Sequence, residues 1–176
     1  MGPADSFLFV FDRHRNGQTW NPLPAGSPSA KTVQNGWSAE FRHCHDGSVK
    51  TVKLDALRDL KEMSEFVNFA GSVIYRNNII IDNPGMAFIN LGKVYGLSEL
   101  RVNGKDCGVK WYGRRIFSVG NILTTGINSI EIKVVTVMGN YLKSLTDNPI
   151  AQYWTNEKTK NQPLQSMGLI GPVTLY

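Results

Sequence analysis

The sequence predicts an all-β chain, a β-sandwich of the jelly-roll kind. Three observations carry the prediction. Short runs of β-branched and aromatic residues recur between turn signals along most of the chain. The 17 Gly and 8 Pro punctuate those runs. Asn103-Gly104 joins two of them, and an Asn-Gly pair favours a type I′ hairpin because both central residues need positive φ. At 176 residues, one domain with a substantial core is expected.

The elements follow in order. Phe7 to Phe11 (FLFVF) reads as a short buried strand. Arg13 to Gly36, rich in Asn, Gly, Pro and Ser, reads as a loop or linker. Trp37, Ala39 and Phe41 alternate with Ser38, Glu40 and Arg42, the period of a half-buried strand. A second strand spans Val49 to Leu54, after an Asp46-Gly47 turn. Leu54 to Glu65 is a candidate short helix, with Leu57 and Leu60 on one face and Asp55 as cap. Phe69 to Tyr75 and Ile79 to Asp82 are strands, or one long bent strand. Ala87 to Leu91 follows the Asp82-Asn83-Pro84-Gly85 turn. The hairpin register then sets Val102 against Lys105, Arg101 against Asp106 and Leu100 against Cys107. It puts Leu100, Val102, Cys107 and Val109 on a core face, with Trp111 in phase and read as core. Ile116 to Val119, the alternating Ile130, Ile132 and Val134, and the closing Val173 to Tyr176 complete the strands. Between Val137 and Ile170 strand signals are sparse, and a loop of that length is often functional.

The net charge of +5 comes from 19 basic and 14 acidic residues. The Lys and Arg are scattered, so no block marks a nucleic-acid site. No run reaches the length of a membrane span. A Cys44–Cys107 disulfide stays open, because two cysteines do not assign a pairing.

Several phrases together resemble the galactose-binding-like sandwich domain of family 2 glycoside hydrolases. They are Phe69 to Arg76, Asn90 to Val94, Leu100 to Lys105, Gly108 to Arg115, Gly126 to Ile132, and Gly171-Pro172-Val173. A narrower likeness is to the C-terminal region of bacterial family 106 α-L-rhamnosidases, carried by the hairpin, by Asn140 to Leu145 and by Gln152-Tyr153-Trp154. The resemblance implies a sandwich over residues 36–176, preceded by an extension or the remnant of another β-domain over 1–35. It implies a secreted or periplasmic protein, with a catalytic barrel as partner domain and a plant-type oligosaccharide as ligand. The catalytic carboxylates of those enzymes lie in the barrel, so no catalytic residue carries over onto this chain.

The residues themselves leave few chemical sites. Glycoside hydrolysis needs paired carboxylates across the scissile bond, and nothing in the sequence pairs Asp46, Asp59, Glu65, Asp147 and Glu157. His43-Cys44-His45 would put both imidazoles on one strand face, but a structural zinc wants four ligands. No cofactor is expected. Structural calcium has loop oxygens available at Asp82, Asn83 and Asp147 without a motif to fix them. What remains is aromatic and polar: Tyr112, Arg114, Arg115, Asn140, Tyr141, Gln152, Tyr153 and Trp154. Sugars offer apolar C–H faces and hydroxyl edges, which such groups match by stacking and hydrogen bonding. The same residues would suit a domain interface. The expected function is therefore an ancillary module that binds carbohydrate or braces a catalytic domain. A purely structural module and a small stand-alone glycosidase are the alternatives.

Overall fold

The computed structural model describes residues 11–14, 23–24, 30–33, 35–82, 85, 87–155 and 160–176. Among these residues twelve strands run in order: β1 Lys31–Val33, β2 Trp37–His43, β3 Val49–Leu54, β4 Gly71–Ile81, β5 Phe88–Asn90, β6 Lys93–Tyr95, β7 Leu97–Val102, β8 Lys105–Lys110, β9 Ile116–Ser118, β10 Gly126–Val135, β11 Gly168–Gly171 and β12 Val173–Leu175. Among the described residues the long loop carries two short helices, α1 Gly139–Ser144 and α2 Pro149–Trp154. A six-stranded antiparallel sheet has the order β3-β2-β4-β10-β7-β8, a four-stranded one β1-β12-β5-β9, and β11 pairs with β6.

The alternation read from the sequence builds the core. Trp37, Ala39 and Phe41 on β2, Val73, Tyr75, Ile79 and Ile81 on β4, and Ile130, Ile132 and Val134 on β10 all turn inward and are buried. They meet Ile89, Phe117, Val173 and Leu175 of the smaller sheet in one apolar cluster, the condition for a sandwich. Phe41 stacks on Phe66 with centroids 3.7 Å apart and meets Phe69 edge-on at 5.4 Å. The opposite face of the larger sheet carries the alternate polar residues of the same strands. No helix among the described residues is long and apolar enough to cross a membrane.

The hairpin has the predicted turn: φ is +51° at Asn103 and +74° at Gly104, the signs a type I′ turn requires. Val102 faces Lys105 and Arg101 faces Asp106 as expected. The register then slips by one residue. Glu99 sits opposite Val109, where an unbroken hairpin would place Gly108. The extra residue is a β-bulge, held by Gly108 at φ +100° and by its N–H donating to the Asp106 carboxylate at 2.7 Å. Cys107 stays against the core, but Val109 and Trp111 are turned outward, 53% and 74% exposed. Both had been expected in the core, and the slip is what removes them from it.

The expected helix from Leu54 to Glu65 reduces to one 3-10 turn, Leu60–Glu62, capped by Asp59 rather than Asp55. The cause is tertiary. Asp59 Oδ1 accepts from Lys61 N at 3.1 Å and from Met167 N at 2.9 Å, and Leu60 N–H donates to the Met167 carbonyl. Those donors serve the strand-end approach rather than a helical ladder. The two strand readings after Phe69 resolve into the one long strand β4. β1 pairs with β12 and so supplies a strand from the segment read as linker. Of the FLFVF strand, residues 7–10 lie outside the described residues, and Phe11 is exposed.

Candidate functional site

The expected site residues divide into two kinds. Arg115 and Asn140 are buried and hold backbone. Arg115 donates to the carbonyls of Trp111 at 2.9 Å, Gly96 at 3.1 Å and Gly113 at 3.3 Å. It thereby straps the turn after β8 onto the β6–β7 corner, and burial pulls its pKa down. Asn140, on α1, exchanges two bonds with Gln165, donating to the carbonyl at 2.9 Å and accepting from the N–H at 2.8 Å. Gln152 donates to the Leu145 carbonyl at 2.8 Å and ties α2 to the end of α1. Tyr141 is half-buried, its ring edge-on to His43 at 5.0 Å. Arg114 lies near enough to Tyr176 that its charge opposes the upward push of burial on that phenol.

The second kind faces solvent. Tyr112, Tyr153 and Trp154 are 64%, 75% and 68% exposed, joined by Trp111. Trp111 and Tyr112 form one pair, centroids 5.7 Å apart and tilted by 32°; Tyr153 and Trp154 form another, edge to face at 5.8 Å. Both pairs are held on short local supports. The Arg115 strap grips the backbone of Trp111 itself. In α2 the Asn148 carboxamide caps the helix through Ile150 N–H and Ala151 N–H, both at 3.0 Å, with Pro149 following. The helical spacing puts Ile150, also exposed, beside Tyr153 and Trp154.

Pairing places the ends of β8 and β10 at one end of the six-stranded sheet. β8 finishes at Lys110 opposite Ser98, near the start of β7. β10 finishes at Val135, opposite Leu97 of β7 and Ser72 of β4, and α1 follows. The sequence had singled out three of the four rings; Trp111 was missed because the bulge that exposes it is not a periodic signal.

Other expected constellations take plain roles. β2 ends at His43, so Cys44 and His45 lie in the following turn, not on a strand face. Both cysteines are free. Among the described residues no group of three or more His, Cys, Asp or Glu converges as a metal site; Asn83 lies outside them. Of the carboxylates, Asp46 accepts from Ser48 N–H within its own turn, Asp59 is the buried cap above, and Glu65 pairs with Lys50. Glu157 lies outside the described residues.

The larger sheet's outer face adds a feature that sequence reading did not find. Ser38, Arg76, Glu131 and Arg101 stand directly opposite one another on β2, β4, β10 and β7, flanked by Lys53 on β3 and Asp106 on β8. Arg76 donates to Glu40 at 3.0 Å and to Glu131 at 2.9 Å. Burial disfavours its charge, but those two carboxylates outweigh it and hold its pKa above the ordinary arginine range.

No protein-family model matches the sequence, and no curated protein matches it. Solved structures do match the fold. A rhamnosidase from Novosphingobium sp. PP1Y superposes with a TM-score of 0.68 at 22% identity over 92% of this chain. A β-glucuronidase from Ruminococcus gnavus does so at 0.53, with 11% identity over 66% of the chain. An FMN-binding β-glucuronidase from Facaelibacterium prausnitzii L2-6 does so at 0.54, with 14% identity over 83%. The chain spans 16%, 22% and 22% of those three proteins' lengths. At these identities the likeness establishes the all-β sandwich.

Proposed function

We propose that this chain is a non-catalytic β-sandwich module of an exported, α-L-rhamnosidase-like glycoside hydrolase, and that it binds carbohydrate through Trp111, Tyr112, Tyr153 and Trp154. One observation carries the reading: four large aromatic rings, about two-thirds to three-quarters exposed, stand in two supported pairs, one on the turn after β8 and one on α2. Rings of that size and exposure mark surfaces that meet a partner. The small share of each glycoside hydrolase that the chain spans supports an ancillary role. Calorimetric titration with neutral plant-type oligosaccharides tests it. Binding by the wild type, weakened about tenfold in Trp154→Ala or Trp111→Ala, is expected. Failure to bind any of them, with both variants silent, would remove the carbohydrate reading. Hydrolysis of aryl glycosides by this chain alone would overturn the non-catalytic one.

A second reading has its own observation. The bulge turns Val109 outward, near Leu97 and Val135, which face each other across β7 and β10 and are also exposed. Bulges recur where a side chain is re-aimed, and this small apolar patch suits bracing against a catalytic barrel. Val109→Asp would then abolish association with such a barrel while leaving the sugar titration unchanged.

A further inference from the structure

We propose that the outer face of the six-stranded sheet is a separate binding site for a carboxylate-bearing oligosaccharide, recognised by charge and hydrogen bonding rather than by stacking. The face is concave. A cleft of about 490 Å³ is lined by Ser38, Arg76, Asn78, Arg101, Ser129 and Glu131, among others. A second, of about 300 Å³, shares Arg101 and Glu131 with it and continues to Arg42, Lys133 and Glu99. The two form one trough across the strands.

Among the described residues no aromatic lines either cleft, and the lining they give is charged and hydrogen-bonding. The charges are what the trough offers. Arg42, Arg76, Arg101 and Lys133 line it against Glu99 and Glu131, with Glu40 beside them on Arg76 and Arg42, an excess of one cation. The pairings differ in closeness, and Arg42 lies 3.9 Å from Glu40. Arg76 is held between Glu40 and Glu131, and Lys133 lies 3.7 Å from Glu99.

Arg101 differs. It stands opposite Glu131 on one side and Asp106 on the other, yet its ion pair is with Glu99 on its own strand, one nitrogen at 3.3 Å. A guanidinium has five N–H donors in a fork that fits a carboxylate with two parallel bonds. Arg101 sits where the two clefts join, and among the described residues its ion pair with Glu99 engages one of its nitrogens. Around it Ser38, Asn78 and Ser129 supply neutral donors and acceptors. Their combination, an arginine fork beside hydroxyl and amide groups, matches the alternating carboxylate and hydroxyl groups of a uronate chain better than the uniform acids of a peptide. At the cleft's edge Asn77 Nδ2 donates to the Asn35 carbonyl at 2.7 Å and fixes the loop carrying Gly36.

The test is a calorimetric titration of the full chain with a penta-uronate oligosaccharide, its fully methyl-esterified form and penta-aspartate. Expected are binding of the uronate that falls with rising salt, and weaker binding by about tenfold or more for the ester and for Arg101→Gln. Asn78→Ala should weaken it as well, and both variants should melt with the wild type by circular dichroism. Trp154→Ala should leave uronate binding unchanged, which separates this site from the aromatic pairs whatever they bind. No heat with the uronate, equal affinity for the ester, an unchanged Arg101→Gln, or a pentapeptide that binds as tightly as the sugar would each overturn the proposal.

Discussion

Asn103 Nδ2 donates to Asn128 Oδ1 at 2.8 Å, tying the hairpin turn to the corner that opens β10. Asn103 Oδ1 also accepts from Ser129 N–H at 2.9 Å. Fully buried Asn128 accepts from Thr124 N–H and donates to the carbonyls of Thr124 and Gly126. One carboxamide thus satisfies backbone groups that the corner would otherwise leave unpaired. Replacing it leaves several buried polar groups without partners, each costing about 1–3 kcal/mol. Asn128→Ala is therefore expected to lose about 2–4 kcal/mol, read from the shift in urea midpoint at constant slope. A loss under about 0.5 kcal/mol would mean that the node is not structural.

Asp59 predicts a pH dependence. Burial alone would raise the pKa of its carboxyl. The N–H groups of Met167 and Lys61, the Ser166 hydroxyl and the Lys61 charge outweigh burial and hold it below the ordinary 3.8. A carboxyl depressed on folding contributes stability that is complete above its unfolded pKa. That contribution disappears as pH falls through the lower, folded value. The stability gap between wild type and Asp59→Asn should be widest near about pH 6 and close toward about pH 2.5. A gap that is constant across that range in denaturant titrations would contradict the argument.

The sequence made legible what depends on neighbouring residues. Asn103-Gly104 announces its own turn, and the alternation in β2 and β10 announces a buried face, because each signal is complete within a few positions. What was not legible depends on residues far away. The Asp59 cap replaced a plausible helix because Met167, 108 positions on, takes part in it. β1, β6 and β11 have three or four residues each, too few for a period to emerge. The bulge at Gly108 adds one residue to a run whose alternation looks unbroken, so Val109 and Trp111 were assigned to the wrong side. α2 had a readable signal in Asn148-Pro149, an N-cap followed by proline at the first helical position. The polar trough had none, since its row is drawn from four strands and exists only once they are paired.

The bulge separates two residues of one hairpin by what their loss should cost. Leu100 is fully buried in the core, while Trp111 is 74% exposed. Leu100→Ala should cost about 3 kcal/mol, the transfer free energy of the lost side chain plus the cavity it leaves. Trp111→Ala should change stability by less than about 0.5 kcal/mol despite removing the larger side chain. Acrylamide quenching of the Trp fluorescence lost in Trp111→Ala should be far steeper than that of buried Trp37. Equal destabilisation by the two variants would restore Trp111 to the core.

Arg76 should couple to both of its carboxylates, but modestly. Its bonds to Glu40 and Glu131 have good geometry, at 3.0 and 2.9 Å, yet its side chain is 43% exposed and water screens the charges. A double-mutant cycle with Arg76→Met and Glu131→Gln should give a coupling of about 0.5–1 kcal/mol at low salt, and the Glu40→Gln cycle a similar value. Because the three groups form one chain of charges, the triple variant should cost less than the single effects add to. Raising salt to about 1 M shortens the screening length to about 3 Å and should shrink both couplings by half or more. Coupling that persists undiminished in salt would mean that the pairs are shielded from solvent, and that the outer face is less open than its geometry indicates.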